Sequence, residues 1–244
     1  MSETQEGRSA LVFGARNLGR AIIEDLVGRG WGVVAVARSD ATLELASAAG
    51  AVPLRADVTD PGSVADALRE TAQRFGRVDL AVNAASAYGG DRSGPFGGGP
   101  VAEAPPDAFD SWTAAPARSA FSFLSAAGRF ALDQGGPATL IQVTGGSARR
   151  AMPGRGLWAA GSFGVRAITN AAAQELREHG IQVVLLVVDA GIEPFDGGGR
   201  PGADPAALAD PRELADAVAF LAEQGARAAT HEVVLTPLAE RWVP

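Results

Sequence analysis

Apolar runs alternate with amphipathic stretches along this chain. Ser9-Ala-Leu-Val-Phe13 is a short apolar run closed by Gly14, and behind it Leu18, Ile22, Ile23, Leu26 and Val27 recur at helical spacing. The pattern predicts strand, glycine turn and helix. Trp31 to Ala37 predicts a buried second strand ending at Arg38, Ala41 to Ala49 a small helix, and Ala51 to Arg55 a third strand that stops before Asp57. Thr59 and Asp60 are capping residues and Pro61 suits a first helical turn, so a helix is expected to follow. Further strands are predicted at Val78 to Val82, Ala138 to Val143, Gln182 to Val188 and Glu232 to Thr236. Helices are predicted from Asp107 to about Asp133 with an interruption at Pro116, over 157–179, and from Arg212 to Glu223. Strands alternating with helices over this length predict an α/β fold, a doubly wound parallel sheet of about seven strands with helices on both faces.

Two stretches break the alternation. Residues 86–106 carry Gly89-Gly90, Gly94-Pro95, Gly97-Gly98-Gly99-Pro100 and Pro105-Pro106, and residues 192–210 are again rich in Gly, Pro and Asp. Both are expected to be flexible loops over a pocket at the carboxyl edge of the sheet, where ligands bind in such folds. With 244 residues, 47% of them hydrophobic, and no long polar linker, the chain is expected to form one domain over 1–244. A formal net charge of −7 argues against nucleic-acid and anionic-membrane partners. No apolar run reaches the ~18 residues of a membrane span, and the start at Met1 lacks the basic and apolar regions of a signal peptide, so a cytoplasmic protein is expected. No Cys and two distant His argue against a metal site.

Phe13-Gly14-Ala-Arg16-Asn17-Leu-Gly19-Arg20 resembles the Thr-Gly-x-x-x-Gly-x-Gly turn of the short-chain dehydrogenases/reductases, a family with a Rossmann-like sheet. The resemblance runs from residue 9 to about 236, and its most specific stretch is Trp158-Ala-Ala-Gly-Ser162-Phe-Gly-Val-Arg166. If Ala10-Leu11-Val12 keeps the family register, the turn is one residue short; if Gly19 keeps it, Phe13 stands at the first glycine and Asn17 at the middle one. Asn is the best substitute for Gly in a left-handed backbone. A βα turn that binds nothing fits the same residues. Asp57-Val58 matches the adenine-contacting pair, Asn83 the first Asn of Asn-Asn-Ala-Gly, and Arg16 with Arg38 would suit a 2′-phosphate. The implied cofactor is NADP(H), with a cofactor-independent protein left open.

At the chemical end the family carries Asn, Ser, Tyr and Lys. Here those positions fall on Pro116, Gly145, Trp158 and Ser162. Trp donates but does not titrate in the working range, and Pro has no amide to offer. The reading is therefore of a divergent member whose ordinary hydride-transfer apparatus is gone. Tyr88, Ser147, Trp158, Ser162 and Asp189 are the candidates for chemistry, with the loop carboxylates Asp91, Glu193 and Asp196 beside them. The Asp189-Ala-Gly191 stretch looks like the subgroup with Asp-Gly after the sixth strand.

Three functions fit. The favoured one is a repurposed, non-redox biosynthetic enzyme that dehydrates, isomerises or cyclises a small or polycyclic substrate, with Trp158 as a pocket wall. The second is an NADP(H)-dependent ketoreductase with other proton donors. The third is an inactive partner in a hetero-oligomer with a complete relative. A homodimer or homotetramer through the helices near 109–133 and 157–179 is expected in each case.

Overall fold

The computed structural model describes residues 7–86, 94–199 and 202–240. Strand β1 (Ser9–Phe13) is followed by α1 (Leu18–Gly28), β2 (Gly32–Ala37), α2 (Asp40–Ala48), β3 (Val52–Arg55), α3 (Pro61–Phe75) and β4 (Leu80–Asn83). The second half runs α4 (Ala115–Gln134), β5 (Ala138–Gly145), α5 (Gly156–Leu176), β6 (Ile181–Val188), β7 (Gly191–Ile192), β8 (Leu208–Ala209), α6 (Pro211–Ala222) and β9 (Glu232–Leu235). Seven strands form one sheet in the order β3-β2-β1-β4-β5-β6-β9, and every pairing in it is parallel. This is the doubly wound, Rossmann-like architecture expected from the alternating pattern.

Both faces of the sheet are covered, which is why the strands read as continuous apolar runs. The period of two is visible in β1: Ala10 and Val12 enter a core with α1 and α6, while Leu11 and Phe13 enter a second core with α3, α4 and α5. Asp60 caps α3 by accepting from the Gly62 and Ser63 N–H groups, each at 3.1 Å, with Pro61 just inside the helix.

Pro116 does not break the helical region. The chain winds as a π-helical turn over Asp110–Ala114, with the Ala115 N–H donating to the Asp110 carbonyl, and then passes into α4 with Pro116 in its first turn. A proline cannot donate to the Trp112 carbonyl one turn back, and the wider turn accommodates that loss. The Trp112 carbonyl lies against α5, where a Cβ on Gly161 would stand 2.5 Å from it. Only a glycine lets α5 approach so closely.

The two loops are more tightly built than their composition suggests. In the first, Phe96–Gly98 form a short turn, Gly97, Gly98 and Gly99 are buried, and Gly99 makes a parallel bridge to Arg155. The glycines there serve close packing on the start of α5. In the second, β7 pairs with β8 and closes the base of the loop, and Phe195 is buried at its near end.

Candidate functional site

Strand order reverses between β1 and β4, and the crevice outside their carboxyl ends is where such sheets bind ligands. Two adjoining cavities lie there, of about 650 and about 1160 Å³, sharing Arg16, Ala84, Ala85 and Ser86. Gly14, Arg16, Arg38, Asp57 and Val58, all read from the sequence as cofactor contacts, line the smaller one.

Phe13 is the last rung of β1, opposite Val36 and Asn83, so the turn starts at Gly14 and not at Phe13. Gly14 has φ 89°, and a Cβ there would lie 2.9 Å from the backbone of Ala84 and Ala85. Gly19 closes the turn from below, its α-carbon packed on the Gly14 carbonyl, and lines neither cavity. Asn17 is the one non-glycine residue with positive φ (46°) among the described residues. Its side chain does not cap α1; Oδ1 accepts instead from the Phe195 N–H at 2.7 Å. The Phe195 ring lies between the guanidinium groups of Arg20 and Arg212, at 4.4 and 4.3 Å. The hydrogen bond to Glu24, partly offset by burial and reinforced by the charges of Glu24 and Asp196, holds Arg20 above the ordinary arginine value. Asp196 is thereby an ion-pair partner of Arg20 at 2.9 Å, on a largely exposed side chain.

Three arginines surround the smaller cavity. Arg38 pairs loosely with Asp57 (3.7 Å), whose other oxygen accepts from the Thr59 N–H and hydroxyl at 2.9 and 2.8 Å. Arg16 and Arg118 have no carboxylate partner among the described residues. Arg118 was not read from the sequence; the spacing Asp110, Ala114, Arg118 was the available signal, one helical stripe that all lines the cavity. Asn83 is placed differently from expectation. It is buried behind the wall, donating to Ser119 (3.3 Å) and Gln142 (2.9 Å) and accepting from the Ala85 N–H (3.2 Å), and it lines neither cavity. Its amide is consumed in fixing the β4 and β5 ends, so it shapes the site from behind.

The larger cavity gathers Thr144, Ser147, Trp158, Ser162 and Asp189. Ser162 is buried, its hydroxyl donating to the Trp158 carbonyl at 2.9 Å, a back-bond within α5. The Ser147 and Thr144 hydroxyls have no hydrogen-bond partner among the described residues, which leaves both to a ligand. Asp189 is buried, packed over Gly146, where a Cβ would collide with its carboxylate, and is ion-paired with Arg150. That pairing ties the end of β6 to the turn after β5. Trp158 is a wall: its ring meets Phe96 at 5.3 Å and Trp112 at 5.9 Å, while Phe96 and Trp112 meet at 5.0 Å. Thr113 holds this cluster by donating to the Leu157 carbonyl at 2.9 Å. Phe96, Arg150 and Arg155 also line the cavity and were not singled out from the sequence. Glu193 lines neither cavity, its N–H bonded to the Ala209 carbonyl at 3.0 Å. Tyr88 and Asp91 lie outside the described residues.

Residues 12–192 match the family model described as Enoyl-(Acyl carrier protein) reductase. The chain is 29% identical to a sorbitol dehydrogenase of Cereibacter sphaeroides over 79% of this chain and 74% of that one. It is 30% identical to the 2-(R)-hydroxypropyl-CoM dehydrogenase of Xanthobacter autotrophicus over 72% of this chain and 71% of the relative. A stretch of 82 residues, 32% of this chain and 34% of the relative, is 42% identical to the 3-oxoacyl-[acyl-carrier-protein] reductase FabG of Escherichia coli. Among solved structures, the 3-ketoacyl-(acyl-carrier-protein) reductase of Brucella melitensis complexed with NADH superposes with a TM-score of 0.79 at 24% identity, covering 95% of this chain and 98% of that one. The alcohol dehydrogenase of Thermococcus sibiricus complexed with 5-hydroxy-NADP gives 0.76 at 22% identity, covering 97% and 99%.

Proposed function

The chain belongs to the short-chain dehydrogenase/reductase family, and from that premise we propose that it is an NADP(H)-dependent oxidoreductase of a carbonyl or hydroxyl compound, a divergent member that moves the proton without the Tyr-x-x-x-Lys pair. The observation that carries this is the smaller cavity, with the uncapped pole of α1, a turn in which Gly14 leaves no room for a side chain, and three guanidinium groups. That chemistry fits a phosphorylated dinucleotide. The dehydrogenase and reductase relatives favour hydride transfer over the dehydration, isomerisation or cyclisation suggested by the residues alone.

The chemistry that NADP(H) would supply there is a hydride given to, or taken from, the substrate carbon. Gly14 and Arg16 would hold the pyrophosphate, and Asp57 and Val58 would flank the adenine. Arg38, with the hydroxyls of Ser39 and Thr42 in the same lining, would hold the 2′-phosphate and so would select NADP(H) over NAD(H). In the larger cavity Thr144 and Ser147 donate to the substrate oxygen and polarise its carbon. The proton that balances the hydride reaches that oxygen through the Ser147 hydroxyl and is replaced from water. Trp158 and Ser162 shape the floor and take no proton. The chain acts as one domain, and it self-associates through α4 and α5, whose Phe121 and Phe163 are 56% and 43% exposed.

Thermal unfolding with added nucleotide tests the reading. At a hundredfold excess over Kd, NADPH is expected to raise Tm by roughly 5–10 °C, with a smaller effect from NADH at the same concentration. No shift with millimolar NADPH or NADH overturns it.

A further inference from the structure

The larger cavity carries a cation that neither the ion-pair network nor the dinucleotide uses. Arg155 opens α5, and Trp158, three residues on, lies on the same helix face. Arg150 is committed to Asp189, and Arg16 is shared with the phosphate cavity. Arg155 has no carboxylate partner among the described residues, although Glu240 contributes to the same lining. Its guanidinium stands 5.3 Å from the centre of the Phe96 ring, and that ring stands 5.3 Å from Trp158, tilted by 56°. The backbone bridge from Gly99 to Arg155, with three buried glycines behind it, fixes Phe96 beside the guanidinium. A guanidinium resting on a ring keeps its N–H edge for an anion, and a ring-lined wall favours a flat apolar body.

From this juxtaposition we infer that the substrate is a planar aromatic carboxylate, its ring system against Trp158 and Phe96 and its carboxylate on Arg155. The inference rests on the reading above only in taking the larger cavity as the substrate site. A protein of formal net charge −7 repels such an anion at long range, so a local cation aimed into the cavity serves selection rather than general attraction.

Calorimetric titration of the full chain with 2-naphthoate and with its neutral counterpart 2-naphthalenemethanol tests it. The acid is expected to bind about tenfold more tightly than the alcohol. Arg155→Gln brings the acid down to the level of the alcohol, Arg155→Lys keeps part of the preference, and Trp158→Ala weakens both compounds alike. Equal binding of acid and alcohol, a preference that survives Arg155→Gln, or binding of neither compound overturns the inference. The NADPH-induced thermal shift is read separately: its absence with the acid preference intact sinks the dinucleotide reading alone, and its presence without that preference sinks only the aromatic carboxylate.

Discussion

Arg38 ends β2 with its side chain 63% exposed and only a 3.7 Å contact to Asp57, a pairing too loose and too wet to compete with a phosphate. Replacing it by Ala is expected to weaken NADPH binding by about tenfold or more while leaving NADH binding little changed, as fluorescence titration of both nucleotides would record. Ser147→Ala removes one of the two uncommitted donors of the larger cavity, and a fall in kcat of about a hundredfold with NADPH affinity retained is the expected outcome in steady-state assays. Much of this was legible in single residues. Gly14, Arg16, Arg38 and Asp57 stand at strand ends, and a strand end in a parallel sheet is a position that the apolar pattern locates. Arg118, Arg155 and Phe96 were not legible, because they reach the cavities from a helix side and a loop whose placement depends on partners far off in the chain. Asn83 was misplaced for a related reason: its neighbours Ser119 and Gln142, which claim its amide, are distant in sequence.

At the scale of elements, α3 shows how local signals survive into the fold. Hydrogen bonds from the Ser63 hydroxyl and then the backbone N–H groups of Ser63 and Gly62 hold the Asp60 carboxyl below its ordinary value. A depressed value means stability that is present above the ordinary aspartate range and lost as the pH falls through the lowered value. Asp60→Ala is therefore expected to lower Tm at pH 7, with the gap to the parent chain closing on acidification through that window. Thermal melts across an acid series would show it. The join between Asp110–Ala114 and α5 behaves differently. Pro116 reads as a helix breaker, yet the cost of its missing donor is absorbed by the wider turn, and the Trp112 carbonyl is brought against Gly161 of another helix. A Cβ at Gly161 must push that backbone away, so Gly161→Ala is expected to cost about 1–3 kcal/mol, a drop of roughly 2–12 °C in Tm. The described part of the first loop is likewise packed at its glycines. Composition cannot distinguish glycines that confer freedom from Gly97, Gly98 and Gly99, which permit contact with Arg155 and Leu157.

For the molecule as a whole, the parallel sheet with its two covered faces follows from strand-helix alternation, and the observed strand order is what brings the two cavities together at the reversal between β1 and β4. The proposed self-association through α4 and α5 belongs to the same scale. Phe121→Asp with Phe163→Asp is expected to reduce the molar mass seen by light scattering, and an unchanged mass would place any interface elsewhere. The bond between Asn17 and Phe195 also belongs here, because it joins residues 178 positions apart, one in the turn beneath the phosphates and one at the root of the loop after β7. Phe195 lines neither cavity, so the bond acts from behind, tethering the loop to a residue of the larger cavity's own lining. Glycine at position 17 would keep the backbone conformation and untie the loop from the turn, so Asn17→Gly is expected to speed hydrogen exchange at the Phe195 amide.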